Sequence, residues 1–274
     1  MTFDFETIID RRGKDAVAVE APAAQISGGF FPETKVQEEF SIIPMWVADM
    51  NFQTAPAVAQ AIRSRADHHL YGYFLPPAQY YQSIINWQKE RNGVADLKPE
   101  HIGYENGVLG GVVSALRILC SNGDPVLVQT PAYVGFTHSL EDNGWKSVLN
   151  PLKRDAQGIW RMDYEDMEQK IIENHVHAAI FCSPHNPSGR VWQAWEIEKA
   201  MEIFARHDVY VIADEIWSDL TLPGYHHIPT QSVSEDARNR TIALYSPSKA
   251  FNLAGLVGSY HIVYNSYIRD RIRR

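Results

Sequence analysis

Five short runs of this chain are apolar nearly throughout. Val126-Leu127-Val128-Gln129-Thr130, Ala178-Ala179-Ile180-Phe181-Cys182, Val209-Tyr210-Val211-Ile212-Ala213 and Ile242-Ala243-Leu244-Tyr245 each read as a strand, and Tyr260-His261-Ile262-Val263-Tyr264 reads as a fifth. A strand that is apolar on both sides has to be covered on both sides. The runs therefore predict an α/β fold with a mainly parallel (mixed) sheet sandwiched by helices. Helices are available to cover it. Residues 194–206 place Ile197, Met201 and Phe204 four and three apart on one stripe. Residues 54–66 read as a helix with Thr54 as N-cap and Pro56 in the first turn, and residues 78–91 as another ended by Asn92-Gly93.

Residues 1–50 are irregular, with Gly28-Gly29 and Pro32 breaking any element, and are expected to form an arm ahead of a large domain at 51–274. The segment from Ile42 to Phe52 reads as a strand and turn, and Tyr71-Gly72-Tyr73-Phe74 as a loop. In open sheets of the expected kind, ligands bind beyond the carboxyl ends of the strands. Tyr133, Asn186, Asp214 and Lys249 each stand just past such a predicted end, so dissimilar side chains converge on one rim.

Composition narrows the class of partner. The 274 residues carry a net charge of −8 with both signs dispersed, which offers no basic field to nucleic acid or anionic lipid. The acidic start lacks the basic and apolar regions of a signal peptide, and no run of eighteen apolar residues is present. Cys120 and Cys182 suggest neither a disulfide framework nor a metal site, and a reducing cytoplasm is expected.

The rim residues have separate plain readings: a surface lysine, an aspartate N-cap, an asparagine in a turn. Together they suit one ligand. Lys249, set among small and hydroxyl residues in Ser246-Pro247-Ser248-Lys249-Ala250, can lose hydration in a pocket and condense with a carbonyl. Pyridoxal 5'-phosphate (PLP) is the commonest protein-bound carbonyl of that type. Its ring nitrogen must stay protonated, and Asp214 at the end of an apolar run is the candidate carboxylate. Asn186, between two prolines, can donate to the ring oxygen, and Tyr133 offers a face for stacking. The glycine-rich turn Asn106-Gly107-Val108-Leu109-Gly110-Gly111 runs into a helix whose first N–H groups could seat a phosphate, although close packing explains such glycines equally well.

At this point the sequence closely resembles the fold-type I PLP enzymes of the class I/II aminotransferase superfamily. The motifs are Ser183-Pro184-His185-Asn186-Pro187-Ser188-Gly189, Asp214-Glu215-Ile216-Trp217-Ser218-Asp219 and Ser246-Pro247-Ser248-Lys249-Ala250-Phe251-Asn252. Asp49-Met50-Asn51-Phe52, Tyr71-Gly72-Tyr73, Thr130-Pro131-Ala132-Tyr133 and Arg190-Val191-Trp192 look like its carbon–sulfur β-lyase branch, the cystathionine β-lyases. The resemblance implies PLP held covalently on Lys249, with Asp214 at the pyridine nitrogen, Asn186 at the ring oxygen, and Tyr133 and Ile216 on the two ring faces. Lys249 and Tyr133 are the catalytic candidates. It further implies phosphate contacts from Val108 and Leu109 N–H groups, from Ser246, and from Tyr73 of a second subunit, hence a homodimer.

Two departures qualify the match. Val257 stands where transaminases usually carry a phosphate-binding arginine, which favours the lyase branch. Trp217 has no assigned role beyond packing. Family members also continue into a C-terminal small domain, and this chain is expected to lack it. The implied reaction is α,β-elimination from L-cystathionine or another cysteine S-conjugate, giving pyruvate, ammonia and a thiol. The alternatives are an aminotransferase and a truncated PLP-binding protein without turnover.

Overall fold

The computed structural model describes residues 3–24 and 43–273. Gly28-Gly29, Pro32 and Ile42, to which the arm and strand readings appealed, lie outside the described residues. The chain divides into two compact units, Met1–Gly72 and Tyr73–Arg274.

The first unit contains helices α1 (Val17–Ala24) and α2 (Pro56–Ala66). Trp46 Nε1 donates to the Ala18 carbonyl at 3.2 Å, and Arg11 is ion-paired with Asp49. Thr54 is not the N-cap that the sequence suggested. The cap position is Ala55, with no side-chain hydrogen bond, and Pro56 sets the start because its ring fixes φ in the helical range and its missing N–H needs no partner there. Residues 43–52 contain no strand.

The second unit is built on nine strands: β1 (Ile102–Asn106), β2 (Pro125–Thr130), β3 (Lys146–Pro151), β4 (Lys153–Arg154), β5 (Trp160–Arg161), β6 (Ala178–Cys182), β7 (Tyr210–Asp214), β8 (Thr241–Tyr245) and β9 (Gly258–Ile262). β4 and β5 form a small ribbon, and the other seven form one sheet in the order β1-β9-β8-β7-β6-β2-β3. The run β3-β2-β6-β7-β8 is parallel, and β9 lies antiparallel between β8 and β1. The sheet is thus mixed and mostly parallel, as expected. The strands differ from the sequence reading in detail: β1, β3, β4 and β5 are additional, β9 begins and ends two residues earlier, and Asp214 is the last residue of β7 rather than the first beyond it.

Helices α3 (Ala78–Asn92), α4 (Val108–Leu119), α5 (Val134–Asp142), α6 (Tyr164–Asn174), α7 (Ala194–Arg206), α8 (Glu235–Arg240) and α9 (Ser266–Ile272) cover the sheet. Strand side chains alternate between its faces. Val126, Val128, Ile180, Ile212 and Leu244 meet α4, α5 and α9 through Val112, Leu116, Phe136, Leu140 and Ile268. Leu127, Ala179, Phe181 and Val211 meet α6 and α7 through Met167, Ile171, Ile197, Met201 and Phe204. Each such Leu, Ile or Phe contributes roughly 1.5–3 kcal/mol on burial, so these two layers hold the strand ends in place.

Candidate active site

Because β9 runs against both its neighbours, β1 points the same way as β8, and the carboxyl ends of β1, β2, β6, β7 and β8 share one rim. Each end delivers a residue. After β1, Gly107 takes φ +79°, a conformation that side chains resist, and turns the chain directly into α4. The first N–H groups of that helix, at Val108 and Leu109, have no carbonyl one turn earlier to accept them, and the helix adds positive potential there. Val112, Leu116, Ile212 and Leu244 in one buried cluster tie α4 to β7 and β8.

After β2, Tyr133 caps α5 and remains 40% exposed. Its ring meets Phe136 edge-on at 5.5 Å. Gly135 makes the placement possible: a Cβ there would lie 2.4 Å from Tyr133 Cε1 and 2.9 Å from Leu109 Cδ1. The tyrosine face and the N-terminus of α4 are therefore drawn together over a residue without a side chain.

β6 and β7 pair Cys182 opposite Asp214. The chain then turns through Ser183, whose N–H donates to the Asp214 carbonyl at 3.0 Å, to half-buried Asn186. Asn186 N–H lies 3.4 Å from Cys182 Sγ. Burial pushes the Cys182 thiol up and takes His185 down to about 4, so both are neutral. Neither joins the cluster as an ionised group.

Asp214 is 5% exposed, and burial raises its carboxyl to about 7. The Ile216 N–H, donating to Oδ1 at 3.1 Å, and the Lys249 charge oppose that rise, while neighbouring Glu215 adds to it. A carboxylate so placed is short of positive charge. Ile216 itself is partly buried against the α4 layer.

β8 leads into Ser246, which is buried, and Lys249, which is half-buried. Ser246 Oγ donates to the Gly258 carbonyl at 2.6 Å and accepts from the Ser248 N–H at 3.1 Å. The Lys249 ammonium lies over the Trp217 ring, 5.6 Å from its centre. Tyr73, at the start of the second unit, is fully exposed. The structure thus brings Val108, Leu109, Tyr133, Asn186, Asp214, Ile216, Ser246 and Lys249 to one rim, with Tyr73 outside that group.

Two features escaped sequence reasoning. Glu215, fully buried, accepts hydrogen bonds from His227 Nε2 at 2.7 Å, from the Thr230 N–H at 2.8 Å and from the Tyr245 hydroxyl. Trp217 and Asn186 line one side of a cavity of about 450 Å³ that Arg190, Leu222 and Tyr225 continue. The acidic pair Asp214-Glu215 was the available signal, since two adjacent carboxylates at the end of an apolar strand need separate partners. Among the described residues no cluster of His, Cys, Asp or Glu is arranged to hold a metal ion, and no helix is long and apolar enough to cross a membrane.

A family model for aminotransferase class I and II matches residues 42–274. Cystathionine beta-lyase PatB of Bacillus subtilis is 38% identical over 232 residues, covering 85% of this chain and 58% of that protein. Protein MalY of Escherichia coli is 30% identical over 269 residues, covering 98% of this chain and 65% of that protein. The crystal structure of cystalysin from Treponema denticola, described as containing a PLP cofactor, superposes with a TM-score of 0.89 at 32% identity, covering 99% of this chain and 66% of that one. The chain spans 58–65% of the length of these two curated relatives.

Proposed function

The chain belongs to the class I and II aminotransferase family, and from that premise we propose that its rim binds PLP and serves carbon–sulfur β-elimination on a cysteine S-conjugate such as L-cystathionine. The observation that carries the reading is the convergence, at the ends of the adjacent parallel strands β7 and β8, of the buried Asp214 carboxyl and of Lys249, whose charge acts on it. The donor set fits the cofactor. A cationic ring nitrogen would let Asp214 ionise, a helix N-terminus at Val108 and Leu109 suits a phosphate, and the Tyr133 ring and the Asn186 amide suit an aromatic ring with a phenolic oxygen.

PLP, when bound, supplies the electron sink for a negative charge at the substrate Cα. The residues of this chain do the rest. Asp214 would keep the proton on the ring nitrogen, Asn186 would orient the ring by donating to its oxygen, and Tyr133 and Ile216 would confine its faces. Lys249 would be the covalent anchor of the cofactor, and its amine, when free, would be the base that takes the Cα proton. A thiolate leaves from Cβ, and water completes the conversion to pyruvate and ammonia. Names among the relatives support this chemistry: PatB is called a cystathionine beta-lyase, and a matching structure from Staphylococcus hominis a PLP-bound C–S lyase. Residues 51–274 would form the cofactor domain with 1–50 as an arm. Exposed Tyr73 would reach the site of a second copy in a homodimer, in a reducing cytoplasm where Cys120 and Cys182 stay unpaired.

The test is to supply PLP and L-cystathionine and to measure pyruvate, ammonia and thiol together. The wild-type chain should release all three, and borohydride should fix the cofactor on Lys249. Transfer of the amine to a 2-oxo acid without free ammonia would replace the reading with an aminotransferase. Retention of both adduct and turnover by Lys249→Ala would end it.

A further inference from the structure

β7 and β8 pair Asp214 opposite Leu244, and each strand then runs into a turn, at residues 216–219 and 247–250. The two connections carry different ends of the proposed site. Asp214 leads into the first, while Ser246 and Lys249 belong to the second. A stiff ring gripped from both fits one separation between them, so that separation has to be held beyond the last paired residues. The Glu215 N–H donates to the Leu244 carbonyl at 2.9 Å, and one residue further along β8 the Tyr245 hydroxyl donates to the Glu215 carboxylate. Glu215 directly follows Asp214, and Tyr245 directly precedes Ser246.

Both partners of this bond are fixed from other directions. Glu215, fully buried, also accepts from His227 Nε2 at 2.7 Å and from the Thr230 N–H at 2.8 Å. The buried Tyr245 ring stacks on Tyr260, with centres 5.5 Å apart and planes 17° apart, and the Tyr260 hydroxyl accepts from Gln88 Nε2 of α3 at 3.0 Å. Burial and the nearby Glu215 push the Tyr245 phenol well above its ordinary value, so it keeps the proton that it donates. A hydrogen bond to a carboxylate away from water is stronger than its counterpart in solvent. Tyr245 packs with Ala213, Ala243 and Ile84, whereas Leu244 packs with Val108 and Val112. The tie therefore lies on the α3 face of the sheet, and the proposed phosphate seat on the α4 face.

We propose that Tyr245 is a positioning residue for Asp214: acting through Glu215, its hydroxyl sets the separation between the Asp214 carboxyl and the connection of Ser246 and Lys249, so that both grip one ring. The role rests on the proposed function, because it matters only if one ligand spans the two connections. Without the hydroxyl the strands still pair and the phosphate seat persists, but Asp214 meets the ring nitrogen less often.

The experiment compares PLP with its carbocyclic analogue, in which C–H replaces the ring nitrogen, by equilibrium dialysis against the whole chain. The analogue keeps the aldehyde and the phosphate and offers Asp214 no cation. The ratio of the two dissociation constants therefore reports the Asp214 contact. It is blind to a change in the folded fraction, since both ligands bind the same folded protein. Tyr245→Phe should cut the preference for PLP by about 2- to 10-fold, the worth of one hydrogen bond. Tyr260→Phe removes the other phenol of the stack, which serves Gln88, and should leave the ratio at the wild-type value. Should the Tyr245→Phe chain not fold, Tyr245→Met, whose flexible side chain fills the space without a donor, is measured instead and must show the same fall. An unchanged ratio in the Tyr245 variant, or an equal fall in Tyr260→Phe, overturns the proposal. The wild type alone tests the reading beneath it. If that chain binds neither ligand, or both equally, the assignment of Asp214 to a cofactor ring fails first and the role of Tyr245 falls with it.

Discussion

Glu215 and His227 form a buried pair, Oε2 to Nε2 at 2.7 Å, one residue beyond the carboxyl at the centre of the proposed site. A carboxylate without solvent is costly unless several donors share it, and here the Thr230 N–H and the Tyr245 hydroxyl complete the set. The pair secures the end of β7 to β8 from behind, so that Asp214 faces the rim from a fixed base. Replacing His227 by Leu leaves the carboxylate one donor short. The unfolding free energy in urea should fall by about 1–3 kcal/mol. An unchanged value would mean that the clamp bears no strain from that side.

Asp214 makes stability fall as pH rises. Its carboxyl is held at about 7 in the folded chain and sits in the ordinary range near 4 in the unfolded one, so the folded state keeps a proton that the unfolded state gives up. The contribution is complete below about pH 4 and is lost as pH climbs through about 7. Asp214→Asn has no such proton to lose. Without PLP the variant should match the wild type near pH 4 and exceed it above pH 7 by a few kcal/mol, at about 1.4 kcal/mol per unit. Denaturation curves at pH 4.5, 6 and 8 check the slope, and a gap independent of pH would refute it.

The same substitution should act oppositely on the cofactor. With the carboxylate gone, nothing compensates a cationic ring nitrogen, and PLP should dissociate more readily from Asp214→Asn at pH 8, where the unliganded variant is the more stable protein. Equilibrium dialysis against PLP reads this directly. Equal retention by both chains would separate Asp214 from the ring.

Gly135 tests the placement of Tyr133. An alanine there puts a methyl 2.4 Å from Tyr133 Cε1, and the ring must swing away. Stacked aromatic pairs are worth about 0.5–1.5 kcal/mol, so Gly135→Ala should weaken PLP binding by roughly two- to tenfold, close to the effect of Tyr133→Leu. Fluorescence titration with PLP measures both. Full affinity in the alanine variant would show that the tyrosine face takes no part.

Glu196 is fully buried between Arg161, at 2.9 Å, and Arg190, and also caps α7 by accepting from the Gln193 N–H at 3.0 Å. Glu196→Gln removes the carboxylate that the two guanidinium groups share, leaving Arg161 only its second partner, Asp155, at 2.9 Å. Both arginines keep some solvent, so the cost should be about 2–3 kcal/mol rather than the 3–5 of a fully buried pair. Urea unfolding of the variant provides the number, and the cavity wall at Arg190 should loosen with it.

What the sequence revealed and what it hid follow from how local each interaction is. Ala178–Cys182 and Ala194–Arg206 were legible to the residue because an unbroken apolar run and a 4-3 stripe declare themselves without any partner. β1 was hidden because Ile102-Gly103-Tyr104-Glu105-Asn106 reads as polar. Its buried Glu105 meets His261 Nδ1 at 2.8 Å, across a separation of 156 residues. β3 alternates polar and apolar residues as an edge strand and has a single neighbour in the sheet, β2. Lys249 and Asp214 were legible as polar residues at the ends of apolar runs. The contact of Lys249 with Trp217 was not, since it depends on a turn fixed by His227 and Thr230 and on a loop from another strand.

The order β1-β9-β8 places the earliest strand of the sheet to leave the ribosome beside the latest. During translation β1 has to wait for some 150 further residues, with its hydrogen-bonding groups borrowed by water or a chaperone, before β9 arrives to pair with it. Lys249 lies between β8 and β9, so it emerges just before the strand that closes the sheet, long after β1 has been made.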